Sequence, residues 1–347
     1  MHRSNGYRRG TGCHWSCVVR RSSGCTKSNH VAGKGSPPLQ PVQPTVPPSR
    51  LKVYLAFAAI YLIWGSTYFF IREALNGFPP FLLGGTRFLV AAVLIFAWSL
   101  TQGHSIHPRG DLRTAVITGF LLCYVGNGAV VWVQQTIPSS VVAIAIAVAP
   151  LSFIVLDRPQ WKVNFRNRST LFGVLAGIVG VLLLFSAKIQ AQLGAAEVTA
   201  EFSALFILVL GIVGWPAGSL YAKYHPPRLP NLVNSGWQML TGAFFFLLTS
   251  AGRGELADMD WSAVPASAWG ALAYLIVFGS LIGFSAYVWL LQVRPATQVS
   301  TYAYVNPVVA VLLGVFVGHE VLGWREGLGL VVILTGVLLI NLARYRR

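Results

Sequence analysis

The chain has 347 residues, of which 54% are hydrophobic and only 10% are charged, and its mean hydropathy is +0.61. This composition lies far from that of soluble domains and excludes an ordinary cytosolic globular protein. The net charge is +16, which in a soluble protein would suggest a nucleic-acid partner. Here the basic residues lie at the ends of apolar segments, so we interpret them as a topology signal and expect no nucleic-acid partner.

Residues 1–52 form a basic tail with nine Lys/Arg, no acidic residue and a proline-rich end. The tail has no apolar core and no hydrophobic stretch of a secretory signal, so we expect it to be disordered. It resembles either an organelle transit segment or a region upstream of the true translation start. Its cysteines, Cys13, Cys17 and Cys25, lack the paired spacing of a zinc site, and we expect no bound metal.

Ten apolar segments follow the tail, and most are long enough to cross a hydrocarbon core of ~30 Å as helices. Prolines and short polar stretches separate them, and no loop exceeds about 16 residues, which leaves no soluble domain for an enzyme active site. The sequence therefore predicts an all-α integral membrane protein. The predicted segments are 53–71, 79–100, 113–134, 138–157, 170–187, 202–223, 231–251, 265–291, 295–318 and 324–343.

The distribution of positive charge predicts how the chain is oriented. When the tail is placed inside the cell, the segment ends on that side carry 12 Lys/Arg and those on the other side carry 4, even with the tail left out of the count. Because cytoplasmic loops carry the excess of Lys and Arg, both termini should be cytoplasmic. We expect a multi-pass protein of the inner cell membrane.

Two stretches of the chain match in one register. Gly126–Pro138 recurs 157 residues later as Gly283–Pro295, and five landmarks coincide: Gly126 with Gly283, Trp132 with Trp289, Gln135 with Gln292, Pro138 with Pro295, and Pro150 with Pro307. The pattern predicts a duplication, with one repeat over 53–187 and the other over 202–343. Because each repeat has five segments, the copies should insert in opposite directions, as in transporters that bind solutes near the midplane.

The first segment carries a recognisable motif, Ile60-Tyr61-Leu62-Ile63-Trp64-Gly65-Ser66-Thr67-Tyr68-Phe69-Phe70-Ile71. Together with Arg87, the Gly126-Asn127-Gly128 stretch and the Pro138…Pro150 helix, it resembles EamA-type transporters of the drug/metabolite transporter superfamily, and among them the YedA-like exporters. The resemblance covers both repeats. It implies ten helices in two inverted five-helix EamA repeats and the movement of small metabolites or drugs, mostly outward.

Polar and aromatic side chains inside the apolar segments are the candidates for substrate binding. Trp64 and Tyr68 share one face of the first segment. Asn127 lies deep in the third, with Gln134 and Gln135 near its end. The alternatives are packing between helices, an interfacial aromatic position, or, for the two glutamines, simple exposure to water.

The ninth segment offers Tyr302 and Asn306, whose counterparts in the fourth are Ala145 and Ala149. We expect these two segments to face each other across a cavity, with the ninth supplying the specific contacts. Close packing of small residues is the alternative. The prolines that follow, Pro150 and Pro307, are hinge candidates because proline weakens the helical hydrogen-bond ladder, although static kinks would look the same.

Arg87 is the charge that lies well inside a segment, and its counterpart is Gln238. It either binds an anionic group or reaches the outer end of its segment. No Asp or Glu lies deep in any segment, so ion coupling would need an end carboxylate such as Glu73 or Glu320. Cys123 is expected to be a small core residue. A nucleotide-binding P-loop motif is missing, and we expect no cofactor.

These observations predict a secondary transporter that moves small metabolites or drugs by alternating access, with efflux as the direction. Amino acids or amphipathic aromatic compounds would suit the aromatic stripes. One alternative is an importer or antiporter of sugars or phosphorylated metabolites, which would want more than one buried cation. The other is a membrane-embedded lipid-modifying enzyme, which would need a polar cluster that the segments do not show. We expect a small-molecule substrate and the lipid bilayer as partners, and no catalytic residues.

Overall fold

The computed structural model describes residues 49–107, 112–166, 168–186, 189–190, 200–226 and 229–345. Apart from its last few residues, the basic tail lies outside this set, as do Cys13, Cys17 and Cys25. The described part of the chain from Pro48 onward forms one compact unit.

Helices make up this unit, and we number the ten long segments α1 to α10. With the short turn Ala296–Val299 counted as the start of the ninth segment, every end falls within about three residues of the predicted segment, and the all-α class is confirmed. The bounds are α1 Arg50–Ala74, α2 Pro80–Thr101, α3 Arg113–Val133, α4 Ser139–Leu156, α5 Arg168–Leu184, α6 Ala200–Tyr224, α7 Asn231–Gly252, α8 Ala266–Val293, α9 Tyr302–Phe316 with a preceding turn Ala296–Val299, and α10 Trp324–Tyr345.

Prolines fix the starts of several helices. Pro79, Pro138, Pro230, Pro265 and Pro295 each lie directly before a helix, with ψ between 137° and 149°. Proline has no N–H to donate and cannot continue a preceding helix easily, so it ends one segment and starts the next. These residues include two of the breaks seen in the sequence repeat, Pro138 and Pro295.

The outer surface of the helices is apolar, as a bilayer requires. Six of the described helices are long and apolar enough to cross a membrane by length and composition alone. Phe172, Phe206 and Phe244 are each at least 60% exposed on this surface. Apolar side chains whose exposure to water would be unfavourable are favourable in contact with lipid. The helices satisfy their backbone polar groups internally, as the hydrocarbon region requires. The chain is a multi-pass membrane protein.

The helix contacts follow the symmetry of the duplication. Counterparts pack against each other in the pairs α2 with α7, α4 with α9 and α5 with α10. Several further contacts come in matched pairs: α1–α9 with α6–α4, α1–α8 with α6–α3, and α2–α8 with α7–α3. Such reciprocity is what a two-fold relation between two five-helix repeats produces. At the α5–α10 contact a Cβ on Gly336 would lie 2.7 Å from the Gly173 oxygen, and one on Gly329 would lie 3.1 Å from the Gly180 oxygen.

Both repeats carry the same irregularity, which the sequence analysis did not predict. The turns widen to π-helix over Gly119–Gly126 in α3 and over Leu275–Phe284 in α8. These stretches correspond within the 157-residue repeat. A π-helical turn is rare and often lies at a functional site, because it shifts the register of the side chains on either side.

Two ends of the molecule can be distinguished by their charges. The last turn of α1 and the loops α7–α8 and α9–α10 carry Glu73, Glu255, Asp258, Asp260 and Glu320, and we call this the acidic end. The loops and helix ends on the opposite side carry Arg158, Lys162, Lys223 and Arg294, and we call this the basic end.

Candidate functional site

A central cavity lies where the two repeats meet. Counting the part open to solvent, it has a volume of about 680 Å³. Side chains from seven helices of both repeats line it: Trp64, Thr67, Tyr68, Ile71, Arg87, Phe88, Gly126, Asn127, Val130, Ile146, Ala149, Gly211, Ile212, Trp215, Gly279, Phe284, Tyr302 and Asn306. A concave site between helices, with a mostly apolar lining and a few polar groups, is the usual kind of site for a small-molecule ligand.

Aromatic rings form one wall of the cavity. Trp64 is the centre of this group, with its ring centroid 5.3 Å from those of both Trp215 and Tyr302, in edge-to-face geometry. Its indole Nε1 donates to the Gly279 oxygen over 3.2 Å. Edge-to-face pairs with a satisfied indole N–H hold rings in fixed positions. The predicted residues Trp64 and Tyr302 therefore lie together and are rigid.

Tyr68 lies one turn further along α1 and also lines the cavity. Its side chain is 7% exposed, and among the described residues its hydroxyl makes no hydrogen bond. A buried phenol hydroxyl normally finds a partner, so this group is available to a molecule in the cavity.

Arg87 brings a positive charge into the cavity and is only 5% exposed. Its Nε donates to Ser280 Oγ over 2.8 Å, in the π-helical stretch of α8. The neighbouring Gly279 leaves room for the guanidinium, because a Cβ there would lie 2.9 Å from Arg87 Nη2. Arg87 thus points into the protein and is held by α8, rather than reaching toward the end of its helix.

Asn127 lines the cavity from the end of the π-helical stretch of α3. Its Nδ2 donates to the Leu122 oxygen over 3.2 Å, five residues earlier in the chain. The side chain is half-buried, so the amide can also contact a bound molecule.

The fourth and ninth segments meet at the cavity through the residues that precede their prolines. Ala149 and Asn306, which correspond in the repeat, both line it. With the Asn306 amide oriented so that its nitrogen faces acceptors, it donates to the Ile60 and Tyr61 oxygens of α1 over 3.2 and 3.0 Å. Asn306 therefore joins α9 to α1 at the edge of the cavity.

The two hinge candidates differ in their surroundings. The helix α4 is interrupted at Ala147 and Val148, and Pro150 is the second residue of the part that follows, Ala149–Leu156. Pro307 lies inside the continuous helix Tyr302–Phe316. Proline is suited to the first turn of a helix and weakens its interior, so Pro150 occupies a position that tolerates proline and Pro307 occupies one where proline weakens the hydrogen-bond ladder.

Gln134 and Gln135 are not brought to the cavity. Gln134 is fully buried at the end of α3, where its backbone oxygen accepts a hydrogen bond from Arg72 and its amide atoms have no partner among the described residues. Gln135 is exposed and its Nε2 donates to the Trp132 oxygen over 3.0 Å. Both lie at the acidic end, beyond the lining of the cavity.

The structure adds a cavity residue, Trp215, and several residues bonded to the lining that the sequence analysis did not single out. Trp215 donates to the Tyr287 hydroxyl over 3.0 Å, and Ser219 bonds the same hydroxyl over 2.6 Å. Trp215 could have been singled out from the sequence, because it lies beside Pro216 in an apolar segment. Ser280 could not have been singled out, because a serine in an apolar run gives no indication of which residue it contacts. Cys123 is buried in the core, as predicted.

Carboxylates of the second repeat hold helix starts of the first repeat at the acidic end. Glu320 accepts hydrogen bonds from the backbone N–H groups of Ser139 and Ser140 over 2.9 and 3.0 Å and from their hydroxyls over 2.7 and 2.6 Å. Glu255 accepts one from the Leu82 N–H over 2.8 Å. The free N–H groups and the dipole at a helix start favour a carboxylate.

A family comparison agrees with this architecture. The model of the EamA-like transporter family matches residues 51–186 and 202–342, one match for each repeat. The inner membrane transporter YedA of Escherichia coli K12, named as uncharacterized, is 36% identical over 299 residues, covering 85% of this chain and 92% of that protein. Protein PecM of Dickeya dadantii is 25% identical, over 84% of this chain and 92% of that protein.

A solved crystal structure supports the fold independently. It has a TM-score of 0.61 at 19% sequence identity and covers 86% of this chain and 100% of that one. The fold is that of a membrane transporter built from two five-helix repeats. The chain belongs to the EamA-like transporter family, within the drug/metabolite transporter superfamily, and the predicted resemblance is confirmed.

Proposed function

We propose that the protein is a secondary carrier that moves small amphipathic molecules across the cytoplasmic membrane by alternating access, in the outward direction. The observation that carries the proposal is the central cavity, whose lining comes from seven helices of both repeats. A site at the interface of two symmetry-related halves can be exposed on one side and then on the other when the halves rock.

Different contacts close the cavity toward its two ends, which supports the proposal. Toward the acidic end, Glu320 joins the α9–α10 loop to the start of α4. Toward the basic end, Ser219 and Tyr287 are bonded to each other over 2.6 Å. Along α6 and α8 these two residues lie between the cavity and a hollow of about 1240 Å³, counting open solvent, that Lys223 and Arg294 line.

In this proposal Trp64, Tyr68, Arg87, Asn127 and Tyr302 contact the substrate. Asn306 acts at the edge of the site by holding α9 to α1. The alternative of an importer of phosphorylated metabolites is less well supported, because Arg87 is the one cationic side chain among the described residues that line the cavity. The family assignment supports transport over lipid chemistry.

A disulfide across the acidic end tests alternating access. A Cβ on Gly314 of α9 would lie 3.5 Å from the Cβ of Ser140 in α4, which suits a disulfide. It would also lie 2.6 Å from Glu320 Oε2, so the Glu320 side chain has to shift in both G314C variants. We expect the S140C/G314C variant, reconstituted in liposomes, to lose solute counterflow when oxidised and to regain it on reduction. Each single variant is the control. Full counterflow by the oxidised, cross-linked protein would refute alternating access across this face.

The solute for that assay comes from growth tests. A strain lacking the protein and a strain that overproduces it are compared on a panel of amino acids, aromatic acids and toxic drugs, and the compound that the overproducer tolerates better is then used as the labelled solute. An overproducer no more tolerant than the deletion strain across the whole panel would contradict efflux.

A further inference from the structure

The charge in the central cavity is unbalanced, and this identifies the kind of molecule it accepts. Arg87 is the one charged side chain among the described residues that line the cavity. In the part of the chain that the structure describes, no carboxylate lies within 4.0 Å of its guanidinium, and the ion pair found there is Arg253 with Glu255 at the acidic end. A buried cation without a counter-ion is costly in an apolar environment, and an anion beside it removes much of that cost.

We propose that the transported solute is an organic monoanion, with a carboxylate that Arg87 binds and an aromatic body that lies against Trp64 and Trp215. The inference rests on the proposed function, because it takes the cavity to be the transport site. It goes further by excluding cationic drugs and by ranking zwitterions below simple anions.

The guanidinium is oriented for such a contact. Ser280 occupies only the Nε donor, over 2.8 Å. Gly279 leaves space for Nη2, since a Cβ there would lie 2.9 Å from this nitrogen. The Gly279 oxygen accepts a hydrogen bond from the Trp64 indole over 3.2 Å. The planar pair of Nη groups matches the two oxygens of a carboxylate.

The second repeat shows that the cation is not required by the fold. The counterpart of Arg87 is Gln238, which is neutral, fully buried, and donates to Thr118 Oγ1 over 2.7 Å. The duplicated scaffold therefore accommodates an uncharged side chain at this position, although the Gln238 Oε1 has no partner among the described residues. Arg87 is present in only one of the two repeats and lines the cavity, and an anionic ligand that binds there explains why this position carries a charge.

The other residues that line the cavity determine which chemical groups the rest of the ligand should carry. Trp64 and Trp215 stand edge to face, with Phe88 and Phe284 also in the wall, so the body of the ligand meets aromatic surface. The ammonium of an amino acid would find no carboxylate among the described lining residues, although amide and hydroxyl oxygens are present. A doubly charged phosphate would leave one negative charge without a partner.

Four indole compounds that differ in charge test this assignment. The purified full chain in detergent at neutral pH is titrated calorimetrically with 3-indolepropionate, its neutral amide, tryptamine and tryptophan. We expect 3-indolepropionate to bind at least tenfold more tightly than the amide and the zwitterion, as a charge-assisted pair provides, and tryptamine to bind weakest. The Arg87→Gln variant should bind the acid and the amide equally, and Arg87→Lys should keep part of the preference.

The control variant is Arg158→Gln, which removes an exposed charge at the basic end and should leave the ratio of acid to amide unchanged. Three results would overturn the inference: no binding of 3-indolepropionate, equal binding of tryptamine, or a preference for the acid that survives in Arg87→Gln. An equal loss for all four compounds in Arg87→Gln would also overturn it, since that result indicates a structural role. The proposed function is judged separately, because counterflow of any solute that the S140C/G314C disulfide blocks would sustain it.

Discussion

At the scale of single residues, the cavity combines fixed rings with few polar groups. Trp64 and Tyr302 are held by edge-to-face contacts, and Trp215 by its bond to the Tyr287 hydroxyl. Rings that do not have to be ordered on binding offer contact area at a low entropic cost. The residues with available polar atoms, Tyr68 and Arg87, stand among them.

Replacing Trp215 by Ala should weaken substrate binding, since it removes one ring from the wall. We expect KM for counterflow to rise roughly 5- to 30-fold, the effect of about 1–2 kcal/mol. Trp98→Ala is the matched control, because Trp98 is 61% exposed on the lipid-facing side of α2. An unchanged KM for Trp215→Ala would show that this aromatic wall does not contact the substrate. A thermal unfolding measurement on the same variant separates loss of binding from loss of fold.

At the scale of elements, two kinds of contact hold the repeats together. Helices α5 and α10 approach through glycines, so that backbone meets backbone. At the acidic end the starts of α2 and α4 are held by Glu255 and Glu320. The first kind depends on shape and the second on charge, so they respond differently to substitution and to pH.

A side chain at Gly336 should separate α5 from α10. Its Cβ would lie 2.7 Å from the Gly173 oxygen and 3.0 Å from the Gly177 nitrogen, and backbone atoms cannot rotate away. We expect Gly336→Val to destabilise the protein by about 1–3 kcal/mol, the usual cost of overpacking, seen as a lower Tm in detergent. Gly327→Ala, on the same helix with no atom within 4 Å, should have little effect. An unchanged Tm for Gly336→Val would mean that the two helices are not in close contact.

The Glu320 contact should depend on pH. Burial raises the pKa of this carboxyl, but the bonds from Ser140 and Ser139 outweigh it and hold the pKa below its ordinary value of 4.5. A group with a lowered folded pKa stabilises the protein above that ordinary value, and this contribution disappears as the pH falls through the folded pKa.

The test compares wild type with Glu320→Gln, whose amide nitrogen cannot accept the bonds from Ser140. We expect a loss of about 1–2 kcal/mol at pH 7, reduced by partial exposure. The difference in Tm should be constant from pH 7 to 5 and vanish below the folded pKa. A difference that does not shrink as the pH falls below 5 toward complete protonation would show that the charge of Glu320 does not hold α4.

At the scale of the whole molecule, the reciprocal helix contacts and the paired π-helical stretches show that the two repeats share one architecture. The membrane orientation follows from charge instead, and it remains a prediction: the acidic end should lie outside the cell and the basic end inside.

Cysteine labelling tests the orientation. In a background with Cys13, Cys17 and Cys25 replaced by Ser, we expect a cysteine at exposed Asp258 to react with a membrane-impermeant maleimide in intact cells. A cysteine at exposed His225, at the opposite end, should react only after the cells are permeabilised. Cys123 is buried and should stay unlabelled in both cases. The reverse pattern would place both termini outside.

Much of the architecture could be read from the chain because lipid imposes it. Apolar length, proline breaks and a five-segment repeat follow from the need to satisfy every backbone group within the bilayer. The same reasoning found Trp64, Tyr68, Arg87, Asn127, Tyr302 and Asn306, since polar or aromatic groups inside such segments need a partner. It placed Gln134 and Gln135 with them, but these two lie at the end of α3, away from the cavity.

The sequence by itself determined the number of helices, their ends, the duplication and the family. Only the tertiary structure decided which side chains of different helices contact each other. The π-helical turns over Gly119–Gly126 and Leu275–Phe284 reset the register of α3 and α8, and a regular period cannot anticipate such a shift. It also took the packing of α8 on α2 to bring Ser280 to Arg87, because contacts between residues so far apart in the chain depend on how helices cross and leave no local pattern.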